Sequence, residues 1–234
     1  MILPAKFKYR STEEEILDQP GNPHFLLEKN FSEMDFINKY LGGTTLTLKG
    51  LQILITNTEK NHSILDVGCG SGDMLVQMSK WLQRKGIKAS LTGIDINADA
   101  ITIAKKRSAP GIDFIQKAYT EIDEEYDIII CSLFCHHLPD DEFARFLSFT
   151  KEKSRIGFLI NDLNRHPIPY YFIWLLSRLF NGTSLLKNDG PLSVLRGFTK
   201  PELKSSLTKA EIENYTIRRN MAFRYLITSK NLNE

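Results

Sequence analysis

The sequence predicts an α/β fold in which seven mostly parallel strands form one sheet with helices on both faces. From Ser63 onward, short aliphatic and β-branched runs alternate with amphipathic segments of helical length, as in parallel sheets with crossover helices. Near the end, two strand-like runs follow each other too closely for a crossover, so the sheet should finish in an antiparallel hairpin. The 234 residues suit one domain with a substantial core.

Residues 1–60 precede this alternation and are expected to form an N-terminal helical cover, ahead of a main domain over residues 61–234. The first residues include Pro4 and charged side chains, unlike the apolar stretch of a signal peptide. The most apolar segment, 168–180, is too short to span a bilayer and contains Arg178. The net charge of +2 provides no basic surface for nucleic acid. We therefore expect a soluble cytoplasmic protein, monomeric or homodimeric, with neither a membrane span nor a nucleic-acid partner.

The predicted strands are short apolar runs. In chain order they are SILDV (63–67), SLTGIDI (90–96), IDFIQ (112–116), YDIIICSL (126–133), RIGFLIND (155–162), EIENYTIRR (211–219) and AFRYLITSK (222–230). Apolar residues at helical spacing, or a capping signal, predict helices at MLVQMSKWLQRK (74–85), DAITIAKKR (99–107), DDEFARFLSFTKEK (140–153) and TKPELKSSLTK (199–209). Gly86 and Pro110 end the first two helices, and Thr199 with Glu202 forms a capping box in the last.

Two connections between predicted strands are informative about the fold, one because it is very short and the other because it is long. Asn220 and Met221 alone separate the last two strands, which must therefore run antiparallel. Residues 163–198 form a long connection after the fifth strand and hold the apolar segment 168–180, predicted to be a buried or interfacial helix, and KNDGPLSVLRGF (187–198). Because connections of this length in compact domains are usually functional covers, we predict a lid insertion here.

A glycine-rich turn, ILDVGCGSGD, follows the first strand and enters a helix. A phosphate-binding loop of the Walker type needs a Lys–Ser/Thr pair after its last glycine, whereas Asp73 and Met74 follow here. The spacing G-x-G-x-G also differs from the G-x-G-x-x-G of dinucleotide folds. Asp66 precedes the first glycine, Gly68, and would repel a pyrophosphate at short range. The turn therefore suits a ligand with a cationic amine or sulfonium.

A second acid, Asp95, ends the next strand in TGIDIN. An acid at this position accepts hydrogen bonds from the two ribose hydroxyls of an adenosine-like ligand. Together with a turn that disfavours phosphate, it indicates a nucleoside ligand without phosphates. The alternative is that the glycines make only a tight turn and Asp95 caps the following helix.

With these residues, the stretch from about 60 to 230 resembles the class I S-adenosylmethionine-dependent methyltransferases, whose sheet is Rossmann-like with an antiparallel last strand. The resemblance implies S-adenosyl-L-methionine as cofactor and S-adenosyl-L-homocysteine as product. It places Asp95 at the ribose and Ile96 on adenine. Where the family often has an acid against the adenine amine, this sequence has Ala118 and Tyr119. The remaining cofactor-facing positions implied are Asp66, Gly68, Cys69, Gly70, Gly72 and Ser132.

Two adjacent histidines, His136 and His137, follow the fourth strand in CSLFCHHLPDDEF. They are candidate general bases, since an imidazole titrates at about 6.5 and a phenol at about 10. The stretch resembles plant-type small-molecule O-methyltransferases, where a catalytic histidine precedes a D-W-S-D-E segment, and this favours His136. A histidine pair here is also frequent in ubiquinone/menaquinone-type methyltransferases. The structural alternative is that one histidine packs under the loop and the other caps the helix at Asp140.

Acceptor-binding candidates come from the fifth strand and the lid. Asp162 and Asn164 end the strand and could orient the acceptor, although Asp162 could equally cap a turn. The aromatic residues Tyr170, Tyr171 and Trp174 would line a pocket for an apolar or aromatic acceptor. The alternative is that this aromatic stripe packs on the sheet or on a partner subunit.

Nearly the whole chain resembles bacterial methyltransferases encoded near type III polyketide synthases. We therefore expect O-methylation of a small phenolic, polyketide-like acceptor, with C-methylation of a quinone precursor, a non-catalytic cofactor-binding module, or an NAD-dependent oxidoreductase as alternatives. By its position in the chain, either Tyr9 or Arg10 is expected near the methionine carboxylate. The cysteines form no C-x-x-C pair or metal pattern, so reduced thiols are expected and no metal site is predicted.

Overall fold

The computed structural model describes residues 4–19, 21–220 and 223–231. Seven strands form one sheet in the order β3-β2-β1-β4-β5-β7-β6. In chain order they are β1 His62–Val67, β2 Ala89–Asp95, β3 Ile112–Gln116, β4 Tyr126–Ser132, β5 Ser154–Leu163, β6 Tyr215–Asn220 and β7 Arg224–Lys230. The predicted α/β class and strand number are confirmed.

The first five strands are parallel, and β7 lies antiparallel between β5 and β6. The predicted terminal hairpin is thus confirmed, although Met221, predicted to lie in its turn, is outside the described residues. The first residue of β7, Arg224, pairs with Leu163 at the end of β5. Arg224 therefore lies at the carboxyl edge of the parallel strands, where ligands bind in such sheets.

Eight helices surround the sheet in the described part of the chain. They are α1 His24–Tyr40, α2 Gly43–Leu54, α3 Asp73–Lys85, α4 Ala98–Arg107, α5 Asp140–Lys153, α6 Pro167–Leu179, α7 Ser184–Arg196 and α8 Lys200–Lys209. Apolar side chains of α2, α3 and α4 form the core on one face, and those of α5 and α8 form it on the other. Between the two layers, Ile128, Ile129 and Ile130 of β4 are fully buried, as expected of a central parallel strand.

Within the predicted cover, α1 lies at the carboxyl edge of the sheet, whereas α2 packs in the core on one sheet face. Leu27 and Phe31 of α1 pack with Ile103 of α4 and with Leu185 of α7. Residues 187–198, predicted only as part of a connection, lie largely in α7 despite Pro191 in its interior. The burial of its apolar side chains and its Thr183 cap outweigh the hydrogen bond that a proline cannot donate.

The predicted aromatic helix exists as α6, but much of its surface is exposed, including Leu175, Leu179 and the following Phe180. Of the two predicted alternatives, a buried or an interfacial helix, burial therefore applies only to its inner face. None of the helices in the described ranges has the length and hydropathy of a membrane span.

Candidate active site

A cavity of about 990 Å³ opens at the carboxyl ends of β1, β2 and β4 and extends beneath α1, α6 and α7. Its walls include the glycine turn after β1, the acid at the end of β2 and the histidine turn after β4. The main chain after these three strands therefore meets at one edge of the sheet, as the parallel arrangement requires.

The glycine turn is shaped by left-handed backbone conformations. Gly68, Gly70 and Gly72 have φ values of 69°, 52° and 77°. The amides of Gly68 and Cys69 both donate to the carbonyl of Ile94, which fixes the turn against β2. Gly68, Cys69 and Gly70 line the cavity, whereas Gly72 does not. A Cβ at Gly72 would lie 2.4 Å from the Phe114 ring, so Gly72 permits close packing.

Asp66 is an unsatisfied buried acid in the cavity wall. Only 1% of its surface is exposed, and its Oδ1 has no hydrogen-bond partner within the described ranges. Burial raises the pKa of Asp66 well above its usual range, and the nearby charge of Asp95 adds to this effect. A cationic group in the cavity would favour the ionised form.

Asp95 lies across the turn from Asp66 and is partly satisfied by the protein. Its two carboxylate oxygens accept from the amides of Gly70 and Asn97, each at 2.9 Å. Burial raises the pKa of Asp95, and these two hydrogen bonds oppose the shift. Because a carboxylate has about four acceptor sites, Asp95 retains capacity for two further donors.

The other predicted cofactor positions also line the cavity. Ile96 presents 71% of its surface to solvent, and Ala118 and Tyr119 lie close by. At the end of β4, the Ser132 hydroxyl lies 3.1 Å from that of Thr47. The structure therefore brings all the predicted cofactor-facing residues except Gly72 to one cavity.

His136 forms a buried dyad with Asp162. The Nδ1 of His136 lies 2.8 Å from Asp162 Oδ1, and the His136 amide donates to the other carboxylate oxygen. Burial alone would raise the pKa of Asp162, but the charge and hydrogen bond of His136 hold it below its usual value. Asp162 thus accepts a hydrogen bond from the Nδ1–H of His136, and the other ring nitrogen, Nε2, faces Glu15.

His137 has a similar partner in the cover. Its Nδ1 lies 2.8 Å from Asp18 Oδ2. Burial would lower the pKa of His137, but the hydrogen bond and charge of Asp18, together with the charge of Glu15, raise it. The Nε2 atoms of His136 and His137 lie 3.6 and 4.0 Å from the carboxylate of Glu15. Glu15 is buried and also accepts from the Ser193 hydroxyl at 2.8 Å.

The predicted acceptor residues lie outside the cavity lining. Asp162 supports His136 from behind, and Asn164 is buried where its backbone bridges to Phe198. Tyr171 and Trp174 are 53% and 42% exposed on the outer face of α6.

Tyr170 instead packs edge-on against Phe7, with ring centroids 5.5 Å apart. The same helix lines the cavity with Pro169, Phe172 and Ile173. Neighbouring positions on a helix point in different directions, and the sequence does not show which side of an aromatic segment faces inward.

Arg224 is a site residue that the sequence did not indicate. It is 4% exposed and lines the cavity, and its side chain has neither a hydrogen bond nor an ion pair among the described residues. Burial lowers the pKa of Arg224 to about 10, and the charge of Asp162 opposes the shift. A Cβ at Gly43 would lie 2.6 Å from Arg224 Nη1, so this glycine leaves space for the guanidinium. Such an unpaired buried cation is costly without a ligand.

Arg10, expected near the cofactor, has its donors occupied by the protein. They reach Asp140 and the carbonyls of His136 and Arg196 at 2.7 to 2.8 Å, and Arg10 does not line the cavity. Tyr9 is 71% exposed. The cover contributes Glu15 and Asp18 instead, which no spacing pattern in the sequence connects to the histidines.

Comparison with known proteins adds family information. Residues 64–153 match the family model described as a methyltransferase domain. The ubiquinone biosynthesis O-methyltransferase of Nitrosomonas europaea is 27% identical over 154 residues, which cover 63% of this chain and 57% of that protein. The same-named protein of Pseudomonas fluorescens is 23% identical over 182 residues, covering 70% and 76%. The chain thus spans little more than half the length of the Nitrosomonas relative.

Solved structures share the fold. The plantazolicin methyltransferase BpumL in complex with SAH has a TM-score of 0.61 at 21% identity, over 89% of this chain and 95% of that chain. Human N-acetylserotonin methyltransferase in complex with SAM has a TM-score of 0.63 at 17% identity, over 89% and 56%. At these identities the likeness establishes the architecture.

Proposed function

We propose that this chain, a class I S-adenosylmethionine-dependent methyltransferase by its fold and its matched domain, transfers a methyl group to a small acceptor. The observation that carries the proposal is Asp66, a buried acid beside a bare backbone turn, whose Oδ1 lacks a hydrogen-bond partner among the described residues. A cationic cofactor tail supplies the charge that this position requires, whereas a diphosphate would be repelled.

The proposed cofactor contacts follow the wall of the cavity. Asp66 and the backbone of Gly68 to Gly70 face the methionine portion, with Ser132 beside it. The free acceptor sites of Asp95 take the ribose hydroxyls. The exposed surface of Ile96 packs on adenine, whose edge meets Ala118 and Tyr119. Gly72 serves this arrangement indirectly, by fixing the turn.

In the mechanism we propose, His136 takes a proton from the acceptor. Bound S-adenosylmethionine would supply an electrophilic methyl group on its sulfonium, with the neutral thioether as the leaving group for attack by the acceptor oxygen. The proton of the hydroxyl passes to Nε2 of His136, and the buried Asp162 stabilises the resulting imidazolium. His137, held by Asp18, lies at the same wall and assists in orienting the acceptor.

The acceptor we propose is a small aromatic molecule with a phenolic oxygen, of polyketide-like type. Pro169, Phe172 and Ile173 of α6 give its end of the cavity an apolar wall. The relatives named as ubiquinone biosynthesis O-methyltransferases favour transfer to oxygen. C-methylation of a quinone precursor is the alternative, and it has the same cofactor contacts.

Arg224 further restricts the acceptor that we propose. Its strand lies three positions along the sheet from β1, which at about 4.8 Å per strand is about 14 Å from the strand of Asp66. An unpaired guanidinium on the acceptor side suits an anionic or oxygen-rich substituent, because a carboxylate can accept two of its hydrogen bonds.

The test has two stages. Calorimetry with S-adenosylhomocysteine and with NAD establishes the cofactor class, and tighter binding of NAD would refute the proposal. Mass spectrometry after incubation with S-adenosylmethionine and a panel of phenols and quinone precursors then identifies the methylated atom. The variant H136N should lose turnover while its S-adenosylhomocysteine affinity stays within about twofold of wild type. Cofactor binding without turnover on any acceptor would support a non-catalytic module.

A further inference from the structure

We propose that Glu15, His136 and His137 form a binding site for a divalent transition-metal ion in the cavity wall. One ligand atom from each of these residues lies within 4.8 Å of the other two. The Nε2 atoms of the two imidazoles face one carboxylate, at 3.6 Å for His136 and 4.0 Å for His137. Two histidines and one carboxylate with open positions are a known metal-binding set.

The three ligand atoms, which lie within 4.8 Å of one another, must move closer together on binding. A four-coordinate metal with bonds of about 2.1 Å keeps its ligand atoms about 3.4 Å apart. His136 Nε2 lies 3.6 Å from Glu15 Oε1, close to this value, whereas His137 Nε2 lies 4.0 Å from the other oxygen, Oε2. The two imidazole rings lie side by side, with centroids 4.3 Å apart and planes inclined by 38°. A metal ion could therefore be held either by both oxygens of Glu15 or, after the carboxylate and His137 turn toward a common point, by one of them.

The side chains that hydrogen-bond to the three ligands from outside the site are those expected around a metal ion. His136 Nδ1 pairs with Asp162 and His137 Nδ1 pairs with Asp18, both at 2.8 Å. Metal-binding histidines almost always give their other ring nitrogen to such a partner, which directs the Nε2 lone pair to the metal. The third ligand is also held, because the Ser193 hydroxyl donates to Glu15.

The cation class follows from the ligands and from the charges around them. Imidazole with carboxylate suits zinc, iron, nickel or copper, whereas magnesium and calcium favour oxygen ligands throughout. Three carboxylates, those of Glu15, Asp18 and Asp162, surround the site. The cationic side chain nearest to Asp18 apart from His137 is Arg196, at 3.9 Å. A divalent cation reduces this excess of negative charge.

The position of the site links it to the proposed reaction, and this link rests on the proposed function. All three ligands line the cavity in which the acceptor would bind. An acceptor hydroxyl bound at an open metal position would lose its proton to solvent and be held as an oxyanion. Because His136 would be a metal ligand in this state, the proton transfer to His136 described under the proposed function would take place only in the metal-free protein. Because Glu15 belongs to the cover, metal binding would also tie the cover to β4.

The experiment is metal titration of the full chain after dialysis against a chelator. Cobalt is followed by its visible absorption and zinc by competition with a chromophoric chelator. We expect one ion per chain and a cobalt spectrum typical of mixed nitrogen and oxygen ligands. E15Q and H137N should weaken binding by about a hundredfold or more, and D18A, which removes an outer partner, by about tenfold.

H24N is the matched control. His24 also pairs with an aspartate, Asp99, at 3.3 Å, but it is not part of the three-ligand group. Wild-type affinity in H24N supports the site. Absence of stoichiometric binding to wild type, or equal binding by wild type and E15Q with unchanged circular dichroism, would overturn it. Calorimetry with S-adenosylhomocysteine is run on the same samples, so that loss of the metal site and failure of the methyltransferase proposal are distinguished.

Discussion

Asp66 shows how a single buried residue can prepare a cavity for a charged ligand. Its carboxyl group is fully enclosed, one of its oxygens has no partner within the described ranges, and its pKa is raised well above the usual value by burial and then by Asp95. Without a cation in the cavity, burial and the charge of Asp95 thus shift Asp66 toward its protonated form. Arrival of a cationic amine reverses this preference, so ligand binding and proton release are linked.

The first prediction concerns this linkage. S-adenosylhomocysteine, whose amine is protonated at neutral pH, should bind wild type more tightly as the pH rises, because the ionised Asp66 is the form that binds. Calorimetry in two buffers of different ionisation enthalpy should detect release of a proton. D66N should weaken binding by about tenfold to a hundredfold and reduce the proton release. The variant D113N, at an exposed position of β3, should behave as wild type.

Arg224 and Arg165 provide a second prediction by contrast. Both are buried, but Arg165 donates to the carbonyls of Phe7 and Gly197 and pairs with Glu202, whereas the Arg224 side chain has no comparable partner among the described residues. R165M should lower the free energy of unfolding by about 3–5 kcal/mol. R224M should leave stability unchanged or increase it by about 1–4 kcal/mol, since an unpaired buried charge is removed.

R224M should affect binding of the acceptor but not binding of the cofactor product. R224M should raise the KM for an acidic acceptor by about tenfold or more while the Kd for S-adenosylhomocysteine stays unchanged. Urea denaturation measures the free energy of unfolding of the two variants, and steady-state kinetics measure the KM of R224M. Weaker binding of S-adenosylhomocysteine, with binding of methylthioadenosine (which lacks the amino-acid group) unchanged, would instead assign Arg224 to the methionine carboxylate.

At the scale of elements, the turn between β1 and α3 depends on close packing as much as on backbone conformation. Gly72 and Gly86 have φ values of 77° and 69° and lie at opposite ends of α3. A Cβ at Gly72 would lie 2.4 Å from the Phe114 ring, whereas a Cβ at Gly86 would meet no atom within 4 Å. Alanine at either position is strained by the positive φ, but only alanine at Gly72 also overlaps the Phe114 ring. Comparing the two substitutions therefore separates the free-energy cost of backbone strain from that of steric overlap.

The third prediction uses this pair. G86A should lower the free energy of unfolding by about 1–2 kcal/mol, because alanine is strained at positive φ. G72A should cost a further 1–3 kcal/mol or so from overpacking against Phe114. Urea denaturation of the two variants under identical conditions measures the difference. Equal losses would mean that the Phe114 ring moves aside without cost.

The elements also show what a sequence can indicate. The apolar run of β4 predicted a strand, because burial on both faces leaves a continuous aliphatic signal. Thr199 and Glu202 predicted the start of α8, where the Glu202 carboxylate accepts from the Thr199 amide at 2.7 Å. α7 gave no such signal, since Pro191 disfavours a helix and only tertiary burial outweighs it.

The residues of the candidate site also divide into those that the sequence predicts and those that it does not. Asp66 and Asp95 lie at the ends of β1 and β2, and the glycines follow β1, so the order of the chain predicts that they meet at one edge. Glu15 and Asp18 reach the histidines from the cover, and Arg224 reaches the cavity from an antiparallel strand. These contacts depend on packing between distant segments, which local spacing does not encode.

For the molecule as a whole, the important division is between the sheet domain and the cover that closes its carboxyl edge. α7 holds the start of the chain, since the Asp189 carboxylate accepts from the amides of Ile16 and Leu17, each at 2.9 Å. The first helix is tied to the sheet domain through Asp35, which pairs with Arg107 of α4 at 2.8 Å and accepts from the Ser71 hydroxyl. The cover forms part of the cavity wall and is held in place through titratable groups. Function at the cavity therefore depends on how the cover docks.

The fourth prediction is that this docking weakens as the pH rises through the mildly acidic range. Burial and the charge of Asp73 raise the pKa of Asp35 to about 6, although Arg107 and Ser71 oppose the shift. Between about pH 4 and 6 the unfolded chain has lost this proton while the folded protein retains it, so ionisation favours unfolding. At about 1.4 kcal/mol per pKa unit, Asp35 lowers the free energy of unfolding by about 2–3 kcal/mol across that interval.

Because other carboxyl groups titrate in the same range, the quantity to measure is the difference between wild type and D35N in urea at pH 4.5 and pH 7. D35N keeps an amide that can accept from Arg107 and Ser71 but cannot ionise, so its stability relative to wild type should increase with pH. D123N, at an exposed position, should show no such increase. A constant difference between wild type and D35N across this range would mean that Arg107 compensates the Asp35 charge fully, and the cover would then dock independently of pH.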